Sequence, residues 1–219
     1  LKKMGVKITW TKNREIKIEG NHSLKPVNHR IIFDRIEAGT FVIAGALAGE
    51  KIKILGVEPK IIKKELNVLR KMGVKLITKK NEIEVTSTKK IRATSINTEP
   101  YPGFPTDLQA QIMVLMTKAK GISKIRENIF ENRFMHVPEL NRMGAKIKIL
   151  GNQSLIFGPQ DLHGAEVMAT DLRASVSLVL AALTAKKKTI INRVYHLDRG
   201  YEELEKKLRK CKANIFRQH

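Results

Sequence analysis

Cysteine, aromatic residues, acidic residues and long apolar runs are all scarce in this chain of 219 residues. The single cysteine, Cys211, excludes an internal disulfide framework and a cysteine-based zinc site, and fits a reducing, cytoplasmic compartment. Aromatics make up 5% of the residues, too few for the stacking platforms that hold single-stranded nucleic acid. The longest nearly unbroken apolar stretch, residues 176–185, falls well short of the roughly 18 residues that cross a bilayer, so no transmembrane span is expected. There is no Walker loop and no Gly-x-Gly-x-x-Gly. His22, His29, His136, His163, His196 and His219 show no metal-ligand spacing, so neither a metal nor a cofactor is implied. The opening residues Leu1-Lys2-Lys3-Met4-Gly5-Val6 lack an initiator methionine and an apolar signal region. They read as the last turn of a helix entering a strand, and the chain reads as a piece of something longer.

The shortage of acid leaves 42 Lys+Arg against 21 Asp+Glu, a formal net charge of +21. Such a charge raises nucleic-acid binding as a first thought. The excess is mostly lysine, however, scattered singly and in pairs such as Lys63-Lys64, Lys79-Lys80 and Lys89-Lys90, with one triplet, Lys186-Lys187-Lys188. No helix-turn-helix or zinc-finger pattern accompanies it. Solvated surface lysine is the simpler reading, and neither a nucleic acid nor a membrane is expected as partner.

What is present is a repeat. The phrase Leu-x-x-Met-Gly-[Val/Ala]-Lys-[Ile/Leu] begins at Leu1, Leu69 and Leu140, and a degenerate copy begins at Leu208, with Cys211 in place of the methionine. The unit is about 70 residues long. Each phrase reads as a helix end, with apolar residues at i and i+3 followed by a glycine able to take the left-handed conformation. Alternating strand patterns follow in pairs, 75–78 with 82–85 and 146–149 with 154–157, so β-hairpins are expected there. Cys211, standing where the repeat has Met, is expected to pack.

A second phrase lies between the first ones. Asp34, Asp107 and Asp171 each open an apolar, Ala-rich helix that closes into a short strand, at 51–54, 122–125 and 189–191. The expected architecture is α+β: repeated βαβαββ-type units with helices packed against sheets. Residues 1–32 are expected to be the tail of a preceding domain, and 33–219 a second domain of three units.

Chemistry is expected where the units differ. Pro100, Pro102 and Pro105 stiffen only the approach to Asp107. Thr106 and Gln109 form a capping-box pattern that places the Asp107 carboxylate at the loop mouth, where complementing the helix dipole is the simpler role. Arg133, Arg173 and Arg199 each have an acidic residue within two positions, the pattern of a local ion pair. In a lysine-dominated set, arginines at helix starts also suit forked recognition of carboxylate or phosphate.

Five phrases in order carry a resemblance: residues 34–41, 102–111, 130–137, 169–175 and 195–201 resemble the UDP-N-acetylglucosamine 1-carboxyvinyltransferase family, the enolpyruvyl transferases that begin peptidoglycan precursor synthesis. The resemblance implies an inside-out α/β barrel fold, with two domains of three units around a pseudo-threefold axis and the active site between the domains. It implies transfer of enolpyruvyl from phosphoenolpyruvate to the 3-hydroxyl of UDP-N-acetylglucosamine. Asp107 matches the sugar-nucleotide carboxylate proposed as base. A carboxylate is a weak base at neutral pH, so proton transfer would accompany attack. Ile129 matches a uridine-nucleotide contact, Arg133, Arg173 and Arg199 match the arginines on phosphoenolpyruvate, and Asp171 matches a cleft carboxylate. The family's Gly-rich Cys loop is not in this chain, so the chain alone is expected to be inactive without an N-terminal half in cis or in trans. The alternatives are the shikimate-pathway enolpyruvyl transferase and a non-catalytic basic module that binds nucleic acid.

Overall fold

The computed structural model describes residues 1–12, 15–20, 23–88 and 90–218. His22, Lys89 and His219 lie outside the described residues. The chain divides into two units, Leu1–Phe33 and Asp34–His219.

In the first unit a single 3-10 turn, Lys2–Met4, stops at Gly5 (φ 103°) and leads into β1 (Lys7–Trp10) and β2 (Ile16–Glu19), an antiparallel pair. Trp10, Ile16 and Ile18 are exposed.

The second unit contains α1 (Arg35–Ala48), β3 (Ile52–Leu55), α2 (Lys63–Lys71), and the hairpin β4 (Lys75–Lys79) with β5 (Glu82–Thr86). β6 (Ser95–Asn97), a 3-10 turn at Thr106–Leu108, α3 (Gln109–Met116), β7 (Gly121–Arg126) and α4 (Val137–Arg142) follow. A second hairpin pairs β8 (Lys146–Leu150) with β9 (Gln153–Gly158). β10 (Glu166–Met168), α5 (Leu172–Ala182), β11 (Ile190–Asn192), a 3-10 stretch at Val194–Arg199 and α6 (Leu204–Lys210) complete it. The sheets run β3-β5-β4, β6-β7-β9-β8 and β10-β11. β6 with β7 and β10 with β11 are parallel, as a strand–helix–strand crossover requires, and the hairpins are antiparallel.

The expected α+β pattern is present, and both hairpins stand where alternation placed them. α1, α3 and α5 are apolar nearly all round, which suits helices buried at a centre. Every residue of α3 is buried. A Cβ on Gly39 of α1 would lie 2.4 Å from Cδ1 of Leu108, so the Leu108 side chain packs directly on the α1 backbone. α2 instead is amphipathic: Leu66, Leu69 and Met72 are buried, whereas Lys63, Lys64 and Asn67 are exposed.

All four copies of the Leu-x-x-Met phrase end in one hydrogen-bond motif. The N–H five residues on returns to the leucine carbonyl, Val6 to Leu1 at 3.2 Å, Val74 to Leu69 at 3.0 Å, Ala145 to Leu140 at 3.0 Å and Ala213 to Leu208 at 3.1 Å. This is the Schellman stop, which needs a left-handed residue after the helix. Gly5, Gly73 and Gly144 supply it, and in the fourth copy Lys212 does so with φ 68°. The expectation that Cys211 packs is corrected: Met72 and Met143 are fully buried, but Cys211 is exposed. Residues 213–218, which follow the fourth phrase, form no strand, and Cys211 lies at the open end of the short helix α6.

Candidate functional site

The site begins with the three aspartates that open the central helices. Asp34 and Asp171 are N-caps: Asp34 Oδ1 accepts from the amides of Ile36 (2.7 Å) and Glu37 (3.2 Å), and Asp171 Oδ1 from those of Arg173 (2.7 Å) and Ala174 (3.0 Å). Each thereby satisfies otherwise unpaired amides of its first turn. Asp107 departs from them. Its helix is preceded by the 3-10 turn whose N-cap is Pro105, which has no side-chain oxygen, and Asp107 falls inside that turn. The expected Thr106–Gln109 capping box does not form. Thr106 Oγ1 donates instead to Glu127 Oε2 at 2.9 Å, and Gln109 is buried with its amide nitrogen unpaired.

Released from capping, the Asp107 carboxylate turns to arginine. Oδ1 accepts from Arg133 Nη2 at 3.0 Å and from Arg173 Nε at 2.8 Å, and Arg173 Nη2 lies in ion-pair contact with it at 2.7 Å. The stiff approach is visible as a self-bonded turn, with Glu99 N–H donating to Phe104 C=O, Gly103 N–H to Pro100 C=O, and Phe104 buried beneath.

The arginines therefore do not pair with the acids next to them in sequence. Arg173 alone sits at a helix start; Arg133 lies in a turn before α4, and Arg199 ends the 3-10 stretch. Arg133 also stacks on Phe130, with Cζ 4.8 Å from the ring centroid. Asp198, beside Arg199, is taken by Arg217 through two hydrogen bonds of 2.6 and 3.2 Å. Arg199 is left exposed, without a carboxylate partner among the described residues.

Arg133, Arg173, Arg199 and Asp171 line one cleft of about 680 Å³, together with Phe130 and Met135. Asp107 reaches it through the two guanidinium groups. Ile129 is half-buried next to the cleft wall, which begins at Phe130. Three arginines face a cleft whose lining also carries Glu131 and Asp171, and of the three only Arg199 has no carboxylate partner among the described residues. Forked donors of this kind suit phosphate and carboxylate groups.

Behind the wall lie groups that the sequence did not single out. His136 is fully buried, with Nε2 3.2 Å from Met113 Sδ. Burial lowers its pKa to about 4; Arg133 adds to the effect and Asp171 opposes it. Tyr201 Oη meets Thr40 Oγ1 at 2.8 Å, and Gln111 Nε2 donates to Tyr201 Oη at 3.3 Å and to the Asp107 carbonyl at 2.9 Å. Burial raises the Tyr201 pKa, so its hydroxyl stays protonated. Glu127 and Gln111 carried no signal in sequence, because Thr98 and Thr106 for the one and Thr40 and Tyr201 for the other come from distant segments.

Among curated proteins, the chain is 60% identical over 214 residues to the UDP-N-acetylglucosamine 1-carboxyvinyltransferase of Pelagibacter ubique (strain HTCC1062), covering 98% of this chain and 51% of that protein. It is 51% identical over 217 residues to the protein of the same name from Rickettsia bellii (strain OSU 85-389), covering 99% and 52%. Among solved structures, the enolpyruvyl transferase NikO from Streptomyces tendae superposes with a TM-score of 0.91 at 31% identity, over 98% of this chain and 52% of that one. The chain thus spans about half the length of the relatives it matches. With residues 1–208 matching the family model described as EPSP synthase (3-phosphoshikimate 1-carboxyvinyltransferase), the chain belongs to that family.

Proposed function

We propose that this chain is the C-terminal portion of a transferase that moves enolpyruvyl from phosphoenolpyruvate to the 3-hydroxyl of UDP-N-acetylglucosamine. The observation that carries the reading is Asp107 held by Arg133 and Arg173 at an arginine-lined cleft. The 60% identity to an amino-sugar transferase favours this acceptor over 3-phosphoshikimate. In this reading residues 1–32 end the first domain, residues 33–219 form the second, and the location is cytoplasmic.

The residues divide the work as follows. Arg133, Arg173 and Arg199 hold the phosphate and carboxylate of phosphoenolpyruvate, and their fixed donors stabilise charge as the tetrahedral adduct forms. The 3-hydroxyl oxygen bonds to C2 of the donor while the C2=C3 electron pair takes a proton at C3, delivered by a general acid of the other half of the transferase, and C3 becomes a methyl group. Asp107 accepts the hydroxyl proton. Its Oδ2 receives no hydrogen bond from the described residues and is available for that role. Elimination then returns a C3 proton to the group that delivered it, sends the C2–O electron pair out with phosphate and restores the enol ether. Asp171 stays close to the reacting centre as a helix cap, and Ile129 abuts the uridine end.

A chimera tests this: the matching half of the Pelagibacter protein is replaced by this chain, and phosphate release from phosphoenolpyruvate is followed with each acceptor. Release that depends on UDP-N-acetylglucosamine is the expected result. A folded chimera that turns over only 3-phosphoshikimate, or neither acceptor, would overturn the reading. The 219-residue chain alone is expected to release no phosphate.

A further inference from the structure

We propose that Glu127 is a positioning residue whose carboxylate locks together the two segments that present Asp107 and Arg133. The proposal rests on the enolpyruvyl-transfer reading for what those residues do, though not for where they are held.

Glu127 follows β7 and is 3% exposed. Its Oε1 accepts from Thr98 Oγ1 at 2.8 Å, from the Ile129 amide at 2.9 Å and from the Phe130 amide at 3.2 Å. Its Oε2 accepts from Thr106 Oγ1 at 2.9 Å. A carboxylate offers about four lone-pair sites, and four donors meet this one, three at Oε1 and one at Oε2. Two of the donors belong to the segment that runs into Asp107, and two to the segment that runs on to Arg133. Thr98 Oγ1 in turn accepts from the Asn128 amide at 2.9 Å, and Asn152 Nδ2 binds the Glu127 carbonyl at 3.2 Å. Thr106 directly precedes Asp107, and Phe130 carries the Arg133 guanidinium on its ring. Both ends of the Asp107–Arg133 bond therefore trace back to one buried side chain. Small displacements of reacting groups cost large factors in rate, which gives such a clamp a catalytic consequence without any contact to substrate.

Glutamine and alanine separate the possibilities. In Glu127→Gln the amide oxygen keeps the Thr98, Ile129 and Phe130 donors, whereas in Glu127→Ala all four are released. In the 219-residue chain, hydrogen exchange at the Ile129 and Phe130 amides should quicken about tenfold or more in Glu127→Ala, with β4 and β5 amides unchanged, and should stay near parental rates in Glu127→Gln. In the active chimera, kcat should fall about tenfold or more in Glu127→Ala and recover most of that loss in Glu127→Gln. Thr106→Val, which cuts only the Asp107 side, should lower kcat with the Ile129 and Phe130 amides still protected, and should add little to Glu127→Ala. Exchange that quickens equally across all sheets, unchanged exchange at 129 and 130, or kcat losses that add fully would overturn the proposal. An inactive parent chimera would instead refute the functional reading, and the exchange comparison would still decide the role of Glu127.

Discussion

Arg173 clasps one oxygen of Asp107 with two of its nitrogens, Nε at 2.8 Å and Nη2 at 2.7 Å, across 66 positions of sequence. Arg133 shares the same oxygen. The carboxylate thus occupies donors on both guanidinium groups that an anionic ligand would also seek.

Replacing Asp107 by Asn keeps an acceptor oxygen in place but removes the charge that competes with an incoming anion. Binding of inorganic phosphate to the chain, followed by 31P NMR titration at low salt, should tighten by roughly tenfold. The gain should shrink as ionic strength rises, because the cleft is open to solvent. Unchanged or weaker phosphate binding in Asp107→Asn would count against the competition.

His136 sets a pH dependence. Its pKa falls from 6.5 in the unfolded chain to about 4 in the fold, chiefly through burial. Between those values the unfolded chain binds the proton and the folded chain does not, so stability rises with pH through the window. The contribution is present in full above 6.5 and is lost as pH falls towards 4, about 3 kcal/mol in all. Urea midpoints measured between pH 7 and 4 should therefore fall more steeply for the parent than for His136→Gln. Parallel curves would contradict the assignment.

The Schellman stops give a paired prediction. Lys212 holds φ 68° without being glycine, so Lys212→Gly should stabilise the chain by about 0.5 to 1 kcal/mol. Gly73→Ala should do the reverse, by about 1 to 2 kcal/mol, because φ is +92° and the new Cβ would lie 3.1 Å from the Lys90 carbonyl. Thermal melts of the two variants check the signs together, and a shared sign would be the failing result.

Much of this fold was legible because its signals are local. The helix stop at Leu69-Arg70-Lys71-Met72-Gly73 and the alternation around Glu82 to Val85 need only neighbouring residues to be read, and both stand as written. Proline before Thr106 marked the one aspartate that differs from its repeat equivalents. The partners were not legible. Arg133 and Arg173 each have an acid nearby in sequence, yet both choose Asp107, because Asp171 is consumed by amide donors of its own helix. Thr106 looked like a cap for the same reason that any Ser or Thr before a helix does; a buried carboxylate 21 positions away outcompetes the local amide. Cys211 misled through analogy with its repeat position, which is buried at Met72 and Met143 but exposed at Cys211.

Tyr201→Phe is expected to cost about 1 kcal/mol, since the hydroxyl joins Thr40 and Gln111 in a buried setting. Chemical denaturation should show a lowered midpoint with an unchanged slope, and an unaltered midpoint would mean that the network contributes nothing net.

That same hydroxyl fixes an order of events during synthesis. The hairpins and helix stops close over a few residues and can form as the chain emerges, whereas the Thr40–Tyr201 bond spans 161 positions. Gln111 Nε2 donates to Thr40 Oγ1 at 3.2 Å and can do so once α3 is made, so the Tyr201 hydroxyl is the last member to join the trio.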